Sequence, residues 1–160
     1  MQLRLRSGYS LGVAGLVFDG ERVLFVRRVH EPNRGRWTFP SGWVMAQEPI
    51  EEAVVREVEE ETGLQSAVVG VLGLRNRVSP NDNNLVVNFL LRPLAGQPSP
   101  DMVEVDGARY FTIEEALAEP DIIEVNRLLV RKVAAGGFSL FLPVPCPPTP
   151  GLPGRYSAFY

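Results

Sequence analysis

The sequence predicts one α/β domain, a mixed β-sheet with a few helices packed on its faces. Three observations carry this. Apolar, strand-like runs recur from Ser10 to Thr112 with turn residues between them. Two stretches, after Pro49 and from Asp121, change to helical spacing. The 160 residues, 45% of them hydrophobic, amount to one ordinary globular domain.

Ser10–Phe18 and Arg22–Arg28 are apolar runs joined at Asp19–Gly20, a hairpin signal. A polar loop punctuated by Pro32 and Gly35 leads to a short extended piece, Trp37–Phe39, where Pro40 biases Phe39 away from helix. A helix then starts near Pro49, well placed at a first helical position, and stops at Gly63. Ser66–Leu74 reads as a strand, Arg75–Asn84 as a polar loop, and Leu85–Leu94 as another strand. A turn-rich break precedes a short strand, Ala108–Thr112. Thr112 with Glu115 marks a capping box for a short helix, and Asp121–Ala135 has helical periodicity ending at Gly136–Gly137. The organisation is a domain over 1–142 and a proline-rich arm over 143–160. Tyr156, Phe159 and Tyr160 in that arm could dock on the domain or on a second subunit, and a homodimer is one expectation.

Composition excludes several classes of function. The net charge of −3 gives no general electrostatic capture of nucleic acid. The single cysteine, Cys146, forms no intrachain disulfide, and a reducing, cytoplasmic setting fits it. The apolar run after Arg4 and Arg6 ends at Asp19–Gly20 without a small-residue cleavage site, so it is not read as a signal peptide. No stretch approaches the length of a membrane span. The sole histidine, His30, argues against a His-rich zinc site and against a Ser-His-Asp triad.

The helix after Pro49 poses the chemical question. It carries Glu57, Glu59, Glu60 and Glu61, and like charges so close repel. At about 100° per residue, Glu61 falls about 40° and Glu60 about 60° either side of Glu57, so these three share one side. Ala53 lies on that side too, and Ile50, Val54, Val55 and Val58 cover the adjoining arc. Glu52, Glu59 and Arg56 point elsewhere by the same count. Carboxylates bordering a buried face need counter-charge, and oxygen donors without His or Cys suit Mg²⁺ or Mn²⁺. A solvated helix rich in glutamate is the competing reading.

The wider spacing separates the two. Gly42, five residues, Glu48, seven residues, Arg56-Glu57-Val58, one residue, Glu60-Glu61, one residue, Gly63-Leu64 resembles the Nudix box with every specified position filled. Average residue usage makes a chance match on the order of one in ten million. The order of elements from Ser10 to Ala135 also resembles that family's α/β/α sandwich. The resemblance implies hydrolysis of a nucleoside diphosphate linked to another group, with Mg²⁺ or Mn²⁺ as cofactor. It assigns Glu57, Glu60 and Glu61 to the metal, with Glu57 also helping to deprotonate water. Arg56 would orient carboxylates, and Glu48 would support or complete the metal site. Gly42 allows close approach, and Ser41, where the family usually has glycine, would offer its backbone carbonyl. Met45, often glutamate, and Gln47, often glycine, are further departures. Glu104, with Asp101 and Asp106 as competitors, is the candidate catalytic carboxylate beyond the box.

Substrate recognition lies outside the box. Pro80, 16 residues after Leu64, is a spacing associated in the family with ADP-ribose-type hydrolases. Arg77 or Arg75 could hold phosphate, and Asp82 or a neighbouring asparagine could hold ribose or base. Arg28 or Arg36 could hold phosphate, and Trp37 could stack on a base or belong to the core. The alternative is a nucleotide-sensing module that keeps the fold and has lost turnover. The partner expected in either case is a small nucleotide, with neither membrane nor nucleic acid.

Overall fold

The computed structural model describes residues 9–78, 83–145 and 158–160. β1 (Tyr9–Asp19) and β2 (Arg22–Arg28) form the hairpin, with Phe18 opposite Val23 and Asp19 opposite Arg22. Gly20 opens its two-residue turn at φ +65°, a conformation glycine enters without a Cβ penalty. β3 (Trp37–Thr38) pairs with β2, and β4 (Ser41–Trp43) pairs antiparallel with β1. Three residues are too few to show a period of two, which hid β4 from the sequence.

Helix α1 (Ile50–Thr62) follows, ended by Gly63 at φ +68°, whose N–H donates to the Glu59 carbonyl at 2.8 Å. β5 (Gln65–Val78) and β6 (Asn83–Ala95) are antiparallel to each other, and β6 runs parallel to β1. β7 (Val105–Thr112) lies along β2. The Thr112–Glu115 capping box forms in full and starts α2 (Ile113–Ala118), and α3 (Glu124–Ala134) comes next.

The sheet is mixed and has a core on each face. Every residue of β1 from Val13 to Val17 except Gly15 counts among the buried apolar residues, and successive ones face opposite ways. Val13 and Val17 join Ala53, Val54 and Val58 of α1 with Phe89 and Leu91 of β6. Ala14 and Leu16 join Phe25, Phe39, Phe111, Ala116 of α2 and Val130 of α3. This is the α/β/α layering that the resemblance implied.

Several boundaries differ from expectation, among them the start of β7, at Val105 rather than Ala108. The polar stretch Arg75–Asn84 is not a loop throughout. β5 continues to Val78 and β6 begins at Asn83, with Asn76 opposite Leu85, Arg77 opposite Asn84 and Val78 opposite Asn83. Main-chain pairing continues there regardless of side-chain polarity, and the Asn76 amide adds a bond to the Asn84 carbonyl at 3.1 Å. α3 starts at Glu124 rather than Asp121, because 121–123 are bound to β3. The Trp37 N–H donates to the Asp121 carbonyl and the Ile123 N–H to the Trp37 carbonyl.

Beyond α3 the chain returns along β5. Phe141 exchanges both backbone hydrogen bonds with Val71, and a Cβ on Gly70 would meet Leu140 and the Phe141 carbonyl at 2.7 Å. β8 (Pro143–Val144) and β9 (Ala158–Phe159) form a small ribbon, from which the Phe159 ring meets Phe89 edge-on at 5.8 Å. Tyr160 is exposed, whereas Cys146 and Tyr156 lie outside the described residues. Among the described residues no helix is long and apolar enough to cross a membrane.

Candidate active site

Helix α1 puts its acids where its own backbone disfavours them. Glu59, Glu60 and Glu61 occupy its last turn or so, at the negative end of the helix dipole, and no basic residue lies there. Burial adds to the cost: Glu57 is 8% exposed and Glu61 only 1%. The Glu60 side chain, by contrast, is 58% exposed.

Two arginines supply the counter-charge. Arg56 does not point away, as its helical position alone suggested, because its side chain is long enough to fold back over the site. Its Nε and Nη2 donate to the two oxygens of Glu48 at 2.7 and 3.0 Å. Its Nη1 donates to Glu57 at 2.7 Å and Glu60 at 3.0 Å, and Nη2 also reaches the Trp43 carbonyl at 3.0 Å. One planar fork thus ties the loop before α1 to two acids on it. The Arg56 bond holds the Glu48 carboxyl below its usual range, and these anions push the Arg56 guanidinium above its own. Glu48 also accepts the Met45 N–H at 2.9 Å.

Arg28 is the second. Its Nη1 donates to Glu61 Oε1, and its Nε to Thr38 Oγ1 at 2.8 Å. Its Nη2 reaches Ser41 Oγ at 2.8 Å and the carbonyls of Phe39 and Ser41 at 3.2 Å. The Ser41 N–H donates to the other Glu61 oxygen at 3.2 Å. Arg28 therefore directs most of its donors to the protein, while it also lines the cleft that holds Glu104.

Burial pushes the Glu61 carboxyl up to about 7, with Arg28 acting against it. Burial also raises Glu57. Arg56 opposes that shift, and the charges of Glu60 and Glu104 add to it. Gly42 makes the approach of Glu57 possible: a Cβ there would fall 2.1 Å from the Glu57 carboxyl carbon.

Glu104 stands apart from its competitors. Asp101 caps its own turn, accepting the N–H groups of Val103, Glu104 and Val105 at 2.9 to 3.0 Å. Asp106 pairs with Arg27 at 2.7 Å on the surface. Glu104 lines a cleft of about 860 Å³ with Arg28, Ser41, Trp43, Arg75 and Arg77, within the size range of small-ligand sites.

Two expected substrate residues lie elsewhere. Trp37 packs edge-on against Phe111 at 5.1 Å, with Arg27 and Arg109 near its ring, and it does not line the cleft. The Arg36 Nε is bound to the Asp121 carbonyl, and Arg36 is not in the cleft either. Pro80 and Asp82 fall outside the described residues. Among the described residues, the tryptophan that does line the cleft is Trp43, which sequence reasoning passed over although it directly follows Gly42.

Among the described residues no three His, Cys, Asp or Glu side chains are placed to share one ion. Glu57 and Glu61 are each held by a different arginine. The donor set nonetheless fits a hard divalent cation. It consists of oxygens alone, two of the carboxylates are buried, the single Arg56 is shared among Glu48, Glu57 and Glu60, and Gly42 leaves no side chain in their way.

A family profile described as NUDIX domain matches residues 8–133. An ADP-ribose pyrophosphatase of Methanocaldococcus jannaschii is 32% identical over 90 residues, which cover 55% of this chain and 53% of that protein. The NAD-capped RNA hydrolase NudC of Pseudomonas aeruginosa is 31% identical over 115 residues, 72% of this chain and 40% of its own length. The chain thus spans about half or less of the length of these relatives. A solved NUDIX hydrolase from Nitrosomonas europaea superposes with a TM-score of 0.72 at 20% identity, over 83% of this chain and 93% of that one, a likeness of fold. The profile spans well over half the chain and agrees with the layered fold and the filled Gly42–Leu64 pattern: the chain belongs to the Nudix hydrolases, a family that acts on phosphoanhydride bonds.

Proposed function

We propose that this chain is a pyrophosphohydrolase that cleaves a nucleoside diphosphate linked to another group, with ADP-ribose-type compounds as the leading substrates and Mg²⁺ or Mn²⁺ as cofactor. The observation that carries the reading is the buried Glu57 carboxylate seated on Gly42, beside Arg56 and at the edge of a cleft that also holds Glu104. The names of the two curated relatives favour adenosine diphosphate compounds, since ADP-ribose and an NAD cap share that unit.

Glu57, Glu60 and Glu61 would hold the ion, with Glu48 and the Ser41 carbonyl as supporting oxygens. A bound divalent cation would reverse the local negative sign, neutralise charge on the phosphate oxygens and acidify a water. The protein's own groups do the rest. Arg56 keeps Glu48, Glu57 and Glu60 oriented. Arg28 fixes Glu61 and the Ser41 backbone. Glu57, made more basic by burial, or Glu104 beside it, accepts the proton of the attacking water. Water adds across the P–O–P link, and each product leaves with a terminal phosphate.

The test is a substrate panel with Mg²⁺ and with Mn²⁺: ADP-ribose, NADH, diadenosine polyphosphates, nucleoside triphosphates and nucleotide sugars, with products read by chromatography. Metal-dependent release of a nucleoside monophosphate is expected. Glu60→Gln should lose most of that activity while keeping the fold, since Glu60 is largely exposed; near-wild-type turnover removes Glu60 from the mechanism. Silence across the panel, with nucleotides still raising the melting temperature, favours the sensor.

A further inference from the structure

The floor of the cleft contains one row of the sheet. Trp43 is opposite Gly12, Gly12 is beside Val86, and Val86 is opposite Arg75, so the row crosses β4, β1, β6 and β5 in register. Strands lie about 4.8 Å apart, which separates the backbones of Trp43 and Arg75 by about 14 Å.

The two ends of the row differ in chemistry. A Cβ on Gly12 would touch two carbons of the Trp43 ring at 3.4 Å, so the indole lies over a residue with no side chain. The Trp43 residue is 55% exposed, and its carbonyl is pinned by Arg56. At the far end Arg75 is half-buried, and among the described residues it has no hydrogen-bond or ion-pair partner. Arg77, two residues on and facing the same side of β5, adds a second positive charge. Burial and Arg77 both push the Arg75 guanidinium below its usual value. Among the described residues, no anion offsets the charge of the half-buried Arg75. Its planar fork suits phosphate.

We propose that the cleft takes a nucleotide carrying a phosphoryl group in addition to the scissile diphosphate, with the base against Trp43, the ribose over Gly12 and Val86, and the extra phosphoryl on Arg75. This rests on the pyrophosphohydrolase reading and names its substrate class. The diphosphate lies towards Gly42 and Glu104, and the second phosphoryl binds at the opposite end of the nucleoside. Arg75 is thereby a specificity residue, remote from the carboxylates that do the chemistry.

Binding and turnover test it separately. Calorimetry in Mg²⁺ compares adenosine 5′-monophosphate with the 2′,5′- and 3′,5′-bisphosphates, none of which contains a P–O–P link. Wild type should bind one bisphosphate about tenfold more tightly than the monophosphate, the worth of one charge-assisted contact. Arg75→Gln should shrink that ratio to about twofold or less, and Arg75→Lys should restore part of it. Trp43→Ala should weaken all three ligands alike, with recovery in Trp43→Phe. Equal wild-type affinities, no binding at all, or an unchanged ratio in Arg75→Gln each overturn the proposal. Turnover is then compared between NADP⁺ and NAD⁺, and between coenzyme A and its dephospho form. Equal kcat/KM within both pairs sinks this subsite and leaves the pyrophosphohydrolase standing. A binding preference without hydrolysis of any compound does the reverse.

Discussion

The carboxyl carbon of Glu57 occupies the space that any side chain on Gly42 would need, 2.1 Å from an ideal Cβ. Gly42→Ala should therefore displace the end of a flexible side chain and leave the β4 backbone in place. Turnover should fall about a hundredfold, the usual cost of a group misplaced by an ångström. The melting temperature should move by only a few degrees. Steady-state kinetics and a thermal melt on the same preparation check both. Full activity would mean that Glu57 works from another position.

Arg56→Lys keeps the charge and loses the fork. A lysine cannot bond both Glu48 oxygens, Glu57, Glu60 and the Trp43 carbonyl together, as Arg56 does. Expected are a stability loss of about 1–2 kcal/mol and a drop in kcat of at least about tenfold. The metal concentration needed for half-maximal rate should also rise. Denaturant melts and metal titrations of turnover measure these, and an unchanged metal dependence would remove Arg56 from the support of the carboxylates.

Gln47 sits at φ +65°, where family members often have glycine. A side chain in the left-handed region costs about 1–2 kcal/mol, and glycine escapes that at the expense of a more flexible unfolded chain. Gln47→Gly should give a net gain of up to about 1 kcal/mol and a melting temperature about 2–4 °C higher. A lower melting temperature would show that the Gln47 side chain makes a contact worth more than the strain.

Glu61 should make stability pH-dependent in chelator. Its folded-state pKa, about 7, lies above the ordinary glutamate value. Between that ordinary value and about 7 the folded chain binds more protons than the unfolded one, so stability falls as pH rises through this window. The benefit is complete at the acid end and gone above it. Melting temperatures at half-unit steps from pH 5 to 8 should fall more steeply for wild type than for Glu61→Gln. Parallel curves would mean that Arg28 holds Glu61 ionised throughout.

How much of this was legible beforehand depends on whether a feature is local. Helix α1 announced its ends closely: Gly63 is its left-handed stop, and Pro49, expected at the first helical position, is its N-cap one residue earlier. The capping box at Thr112 is local in the same way. The polar end of β5 was misread because its evidence lies across the ladder in β6 and not in its own composition. The choice between Trp37 and Trp43 could not be made from spacing. Each sits on a strand of three residues or fewer, and only the sheet decides which ring meets Phe111. Arg28 was visible as a cation, but its tie to Glu61 spans 33 positions. Glu104 stood out from Asp101 and Asp106 only once the turn had used Asp101 and Arg27 had paired with Asp106.

The short strand β4 sorts the site by parity. Gly42 turns its bare α-carbon towards Glu57 on the helix side, while Trp43 lays its ring over Gly12 on the cleft side. One residue added within Ser41–Trp43 would exchange these aspects, sending an indole into the carboxylates and a glycine to the cleft. A change of side chain at Trp43 has no such effect. The arrangement leaves the cleft side of β4 free to change its side chain, while the helix side stays locked to its neighbours by a single alternation along the chain.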